Sequence, residues 1–311
     1  MFAKHSEPSR VNSESKTNVE SEPIRIDAHQ HFWDLSRSEF DYDWVKVPAN
    51  AAINKNYLPE NLVGHLTSTR MHYSVLVQTQ HTLAENHWAL SLAEQNPFIA
   101  GVVGWVDLAS SDVEENLQQL QKHSKFVGIR HITQDEPDDD FIVRPDIRRG
   151  LGYLERLGIP FDLLFYEQHL HHAASLGQEF PNLPLVIDHL AKPKIKNGEI
   201  FDWEHDLRQA AQHSNIYCKL SGLVTEANWD NWTPDDLRPY IEIALAAFGP
   251  RRCMFGSDWP VCELAGSYPD VLAALQEVIS SLSTEDQDWI LGKTAMNFYS
   301  LQIGPPESHA L

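Results

Sequence analysis

Two histidines one residue apart stand in the segment Asp27-Ala28-His29-Gln30-His31. In an extended chain residues i and i+2 project to one face, so His29 and His31 can point together from the end of a strand. Two imidazoles there can hold a metal ion or donate hydrogen bonds to a developing oxyanion. A His-x-His pair in a chain with 16 histidines carries little weight alone, but two other apolar runs end in similar chemistry. One closes in Ile187-Asp188-His189 and the other in Phe255-Gly256-Ser257-Asp258-Trp259-Pro260. A carboxylate at a strand end can take a proton from water and return it to a leaving group, which makes Asp258 the candidate general base. Singly, His189 reads as well as a satisfied core histidine, and Asp258 as a helix cap. Their weight comes from convergence with His29 and His31.

Convergence requires a frame, and the sequence supplies one. From Pro23 onward, short β-branched or aromatic runs alternate with longer amphipathic stretches. The strand candidates are 24–29, 73–78, 99–106, 126–131, 160–166, 184–189, 215–221 and 252–258. Helical patterns lie between them, for example over 58–69, 113–123, 145–157 and 233–248. In the last, Thr233 can cap, Pro234 suits the first turn and Gly249-Pro250 stops the helix. Eight strands alternating with helices predict an α/β fold, a single-domain (β/α)8 TIM barrel over residues 23–303. The competing arrangement is an open doubly wound sheet, whose nucleotide-binding forms need a Gly-rich phosphate loop that no strand here precedes. Residues 1–22 are rich in Ser, Glu, Lys and Asn and predict a disordered N-terminal tail, and 304–311 a C-terminal tail. The connection 32–57 is long and aromatic, which fits a lid over the barrel mouth or a packed Ω-like loop.

The formal charge of −20, from 24 basic and 44 acidic side chains, opposes binding to nucleic acid or an anionic membrane. No run reaches the ~18 apolar residues of a membrane span, and the N-terminus lacks the apolar core of a secretory signal. Three cysteines, Cys218, Cys253 and Cys262, have no metal-knuckle spacing and predict reduced, buried thiols in a cytoplasmic protein. The expected partner is a small molecule, with homo-oligomer formation left open.

Several stretches together resemble the amidohydrolase superfamily, in its branch of sugar-acid and dicarboxylate lactonases: IDAHQHFWD (26–34), VGIRH (127–131), FDLLF (161–165), VIDHLAKP (186–193), YCKLSGLVTEA (217–227) and MFGSDWPVCELAGSY (254–268). The resemblance runs from about residue 24 to about residue 300. It implies that His29 and His31 are the paired first-strand histidines, His189 the sixth-strand histidine and Asp258 the water-activating aspartate. It also implies that Arg130 lies near substrate, where a guanidinium fork can bind carboxylate or lactone oxygens. Binuclear relatives carry a lysine or glutamate on the fourth strand and a histidine after the fifth. Here the fourth strand ends in Arg130-His131, and His169, His171 and His172 come late, where a helix surface is expected. The implied cofactor is therefore either none or a single Zn2+ held by His29, His31, His189 and Asp258. Gln78, Trp105, Lys219 and Trp33 are expected to bind substrate alongside Arg130, and Lys192 either reaches the pocket or forms a surface ion pair. Lys219 and Ser221 alternate along one strand and so share a face. The implied reaction is hydrolysis of an aldonolactone, with Asp258 activating water. A metal-dependent decarboxylase of the same superfamily and a non-catalytic binding protein are the alternatives.

Overall fold

The computed structural model describes residues 22–304; the predicted tail over 1–22 lies outside them but for its last residue, and the C-terminal one but for its first. Eight strands, β1 (Ile26–Gln30), β2 (Tyr73–Val77), β3 (Ile99–Gly104), β4 (Phe126–His131), β5 (Phe161–Leu163), β6 (Leu185–Ile187), β7 (Ile216–Leu220) and β8 (Cys253–Phe255), form one sheet in sequence order. Every ladder between neighbours is parallel. The seam between first and last strand closes just beyond β8: the His31 amide donates to the Trp259 carbonyl at 2.7 Å and the Asp258 amide to the His29 carbonyl at 2.8 Å. This is the predicted TIM barrel, and it is sealed by the same residues expected to do chemistry.

Helices cover the strands: α1 (Asp43–Lys46) in the first loop, then α2 (Pro59–Thr69), α3 (Leu83–Gln95), α4 (Val113–Leu120), α5 (Pro145–Leu157), α6 (His171–Glu179), α7 (Phe201–Ala211), α8 (Pro234–Phe248) and α9 (Tyr268–Val278). At the start of α8 Thr233 is the N-cap, as expected, and forms a capping box with Asp236. The Thr233 amide and hydroxyl both donate to the Asp236 carboxylate, at 2.7 and 2.8 Å, so the aspartate of the first turn reaches back.

Two apolar layers hold the barrel. The outer one lies between strands and helices and includes Leu76, Val102, Ile129, Phe161, Leu185, Cys218 and Phe255. The inner one contains Ile26, Val75, Val77, Val186 and Met254, with Phe298 and Leu301 of the C-terminal segment packed against it. Strict alternation would put Asp27, His29 and His31 on one face, yet the β1–β2 register slips between Asp27 and Gln30. The extra residue is a bulge, which resets the alternation. Ala28 joins the inner layer, while Asp27 turns to the seam. Its carboxylate accepts from the Ser257 amide at 2.8 Å and the Ser257 hydroxyl at 2.6 Å. Burial pushes the Asp27 carboxyl up to about 6 despite these donors.

All three cysteines are buried free thiols, with Cys218 and Cys253 in sulfur contact at 3.6 Å. Among the described residues, no helix is long and apolar enough to cross a membrane.

Candidate active site

The C-terminal ends of the strands bring four predicted residues together. His29 Nε2 lies 3.2 Å from His31 Nε2, and Asp258 Oδ1 lies 3.3 Å from His31 Nε2 and 3.8 Å from His29 Nε2. His189 Nε2 faces the same Asp258 oxygen at 3.8 Å. The local backbone that aims these groups is unusual. Asp258 has φ +55°, and His189, Leu190, Ala191 and Lys192 form four consecutive left-handed residues. Each such non-glycine residue costs about 1 kcal/mol or more. The surroundings hold the turn: Lys192 N–H donates to the His189 carbonyl at 2.8 Å, and the buried Trp203 indole donates to the Leu190 carbonyl at 2.6 Å.

The charge states follow from burial. Burial pushes His29, His31 and His189 below the ordinary histidine range, His189 to about 4. Burial alone would raise Asp258, but the histidines clustered around it, His189 first, bring it well below the usual carboxylate range. At neutral pH the site therefore presents three uncharged imidazoles and one carboxylate. His31 Nδ1 must carry its proton, since its partner at 2.8 Å is the Val77 carbonyl. That leaves a lone pair on Nε2, directed at the Asp258 side. His189 Nδ1 pairs with Ser221 Oγ at 2.9 Å.

Three of these donors, His29, His31 and Asp258, fit one zinc ion. A tetrahedral site with bonds of about 2.0–2.1 Å separates its ligand atoms by roughly 3.3–3.4 Å, close to the spacing among His29, His31 and Asp258. Neutral imidazoles and an ionised carboxylate need lose no proton to bind it.

Beneath the histidines lies a buried ionic network that the sequence did not disclose. Lys219 Nζ sits 2.6 Å from Asp162 Oδ2, 3.0 Å from Asp188 Oδ1 and 3.1 Å from His29 Nδ1, with all of these side chains fully buried. Tyr299 Oη donates to Asp162 at 2.7 Å, closing the network from below. Arg130 reaches Asp188 and His29 Nε2, each at 3.2 Å, and donates to the Gln78 carbonyl. Burial raises Asp162 to about 6, whereas for Asp188 the neighbouring cations, Lys219 first and Arg130 with it, outweigh burial and hold it well below its ordinary value. Lys219 and Ser221 share one face of the β7 run, as their alternation predicts, and both point inward. Their partners, brought from β1, β5 and the end of β6, were unforeseen.

Above the four residues opens a cavity of about 430 Å³. Its walls include His31, Arg130, His189 and Asp258, and at the rim Trp44, Tyr166, Lys192, Glu226 and Trp229. Lys192 thus reaches the pocket. Of the residues expected to bind substrate, Arg130 is on the wall; Gln78, Trp105, Lys219 and Trp33 do not line this cavity. Gln78 instead donates to the Arg130 carbonyl at 3.2 Å, and Trp105 to His131 Nδ1 at 3.1 Å. Trp33 is fully buried beneath Trp44, with ring centroids 5.3 Å apart, so Trp44 is the tryptophan of the first loop that meets the cavity. The long first loop both packs and covers. His169 and His172 also depart from the expected helix surface: both are buried, facing the carboxylates of Asp139 and Asp140 at 3.3 and 3.1 Å.

The sequence from residue 26 to 301 matches the family model described as Amidohydrolase. The chain belongs to this amidohydrolase family. An L-fucono-1,5-lactonase from Burkholderia ambifaria is 36% identical over 293 residues, covering 92% of this chain and 99% of the relative. A crystal structure of an amidohydrolase from Burkholderia multivorans with bound Zn superposes with a TM-score of 0.84 at 35% identity, over 89% of this chain and 99% of that one. A 2,6-dihydroxybenzoate decarboxylase from Rhizobium has a TM-score of 0.64 at 14% identity, over 90% of this chain and 99% of the other, a likeness of fold alone.

Proposed function

We propose that this amidohydrolase opens sugar-derived lactones, with Asp258 activating the water that attacks the lactone carbonyl. The observation that carries the reading is the convergence of three neutral imidazoles on one ionised aspartate at the floor of the cavity. Similarity to an L-fucono-1,5-lactonase over nearly the whole chain supports the substrate class. Asp258 takes a proton from water as the water oxygen bonds to the carbonyl carbon. The ring C–O bond then breaks, and Asp258 returns the proton to the departing ring oxygen. The product is an open hydroxy acid, which ionises. A carboxylate is a modest base toward water, so the carbonyl must be polarised from its other side. His189 and the Arg130 guanidinium, both on the cavity wall, stand where they can do this. Zinc held by His29, His31 and Asp258 would supply Lewis-acid polarisation of the carbonyl and a more acidic water. Arg130 is tied to Asp188 and the Gln78 carbonyl, and its fixed fork orients substrate from the wall. A lactone is a better electrophile than an amide and has a better leaving group, which suits a base of this strength.

Hydrolysis in 18O-labelled water tests the chemistry. The label is expected in the product carboxylate, and Asp258→Asn is expected to lower kcat by ~10²–10⁴. Label in the ring-derived hydroxyl, or near-normal turnover by the variant, would overturn it.

A further inference from the structure

The proposed chemistry leaves one part of the cavity unexplained. Lys192 and Glu226 both line it, and each is only partly exposed. Among the described residues neither side chain has an ion-pair or hydrogen-bond partner. The Lys192 ammonium lies over the Tyr166 ring, 5.2 Å from its centroid. The two charges feel each other: burial raises the Glu226 carboxyl, and Lys192 draws it back down. They nonetheless stay too far apart to pair. A third group on the same wall is likewise unsatisfied, since Gln134 Oε1 is buried without a partner. Unpaired polar groups held out of water are costly unless a ligand completes them. Beside them, Trp44 and Trp229 expose 37% and 38% of their surface at the cavity rim.

A donor, two acceptors and two indole faces around one space match a ring that carries several hydroxyls. Each hydroxyl gives one proton and takes another, and the C–H faces of such a ring suit an indole. We propose that Lys192, Glu226 and Gln134 read the ring hydroxyls of the substrate and so select hydroxyl-rich lactones over plain ones. The left-handed turn that aims His189 also aims Lys192, so the base-facing and hydroxyl-reading ends of the site are fixed by one backbone feature. This inference rests on the lactonase reading, deepening it from a reaction to a selectivity.

The test compares kcat/KM for a polyhydroxylated sugar 1,5-lactone with that for δ-valerolactone, which has the same ring and no hydroxyls. It is run on the unmodified enzyme, Lys192→Met and Glu226→Leu. Indole fluorescence on addition of the sugar lactone reports binding in parallel. The unmodified enzyme is expected to prefer the sugar lactone by at least 100-fold. Each variant is expected to lower that ratio by at least 10-fold, chiefly through KM. Equal efficiency on both lactones, or an unchanged ratio in both variants, overturns the subsite and leaves the lactonase reading standing. Binding of the sugar lactone that needs Glu226, with no turnover of either lactone, sinks the activity and keeps the subsite. Neither binding nor turnover sinks both.

Discussion

Replacing Lys219 with methionine should destabilise the barrel by about 3–5 kcal/mol, the usual cost of removing one member of a buried ion pair. The variant keeps the length of the side chain and deletes the only ammonium between Asp162, at 2.6 Å, and Asp188, at 3.0 Å. Both carboxylates are fully buried. Asp188 keeps Arg130 at 3.2 Å, and Asp162 keeps only the Tyr299 hydroxyl. Asp162 is thus the side left uncompensated, and it should take up a proton. Urea unfolding at pH 7, followed by tryptophan fluorescence, gives the size of the loss. Adding Asp162→Asn to Lys219→Met removes the stranded charge and should recover part of it, the signature of coupling within one network. A loss below about 1 kcal/mol, or a double variant that is the sum of the two singles, would show that the lysine is not the keystone of this network.

Two further outcomes follow from individual contacts. Gly222 has φ +62°, and a Cβ there would lie 2.5 Å from His189 Nδ1, so Gly222→Ala should displace the imidazole from Ser221. We expect kcat to fall ~10–100-fold while the urea midpoint moves by only ~1–2 kcal/mol equivalent; a wild-type kcat would place His189 outside the chemistry. Glu85 is buried and pushed up from 4.5 to about 7, burial outweighing the donors from Thr79 and Gln80. A raised carboxyl favours the fold most below its unfolded value, and that contribution fades as pH rises through the folded one. Relative to Glu85→Gln, the wild-type protein should therefore lose about 3 kcal/mol between pH 4.5 and pH 8. A flat difference across that range would contradict the assignment.

The strands and the four convergent residues were legible because each rests on local sequence. An apolar run ending in His or Asp says both where a strand lies and what it presents at its end. The extra residue in β1 leaves no trace in composition, so the turning of Asp27 to the seam was hidden. The partners of Lys219 come from strands that are 57 and 31 residues away, and pairing across a barrel interior depends on closure rather than on periodicity. Trp33 and Trp44 differ only in the path of the loop that carries both, and packing against Tyr57 decides which is buried. His169 and His172 carry a helical pattern, yet the segment with Asp139 and Asp140 folds over them. Glu226 was not legible, because nothing nearby in sequence marks an unpaired carboxylate.

The most direct test of the account is proton release from a panel of sugar-acid lactones, followed with a pH indicator on chelated and on zinc-supplemented enzyme. Each lactone opened releases one proton. The account predicts turnover of at least one sugar-acid lactone, with zinc dependence identifying His29, His31 and Asp258 as ligands and activity that survives chelation identifying Asp258 and His189 as direct participants. No proton release from any lactone in either state would contradict it.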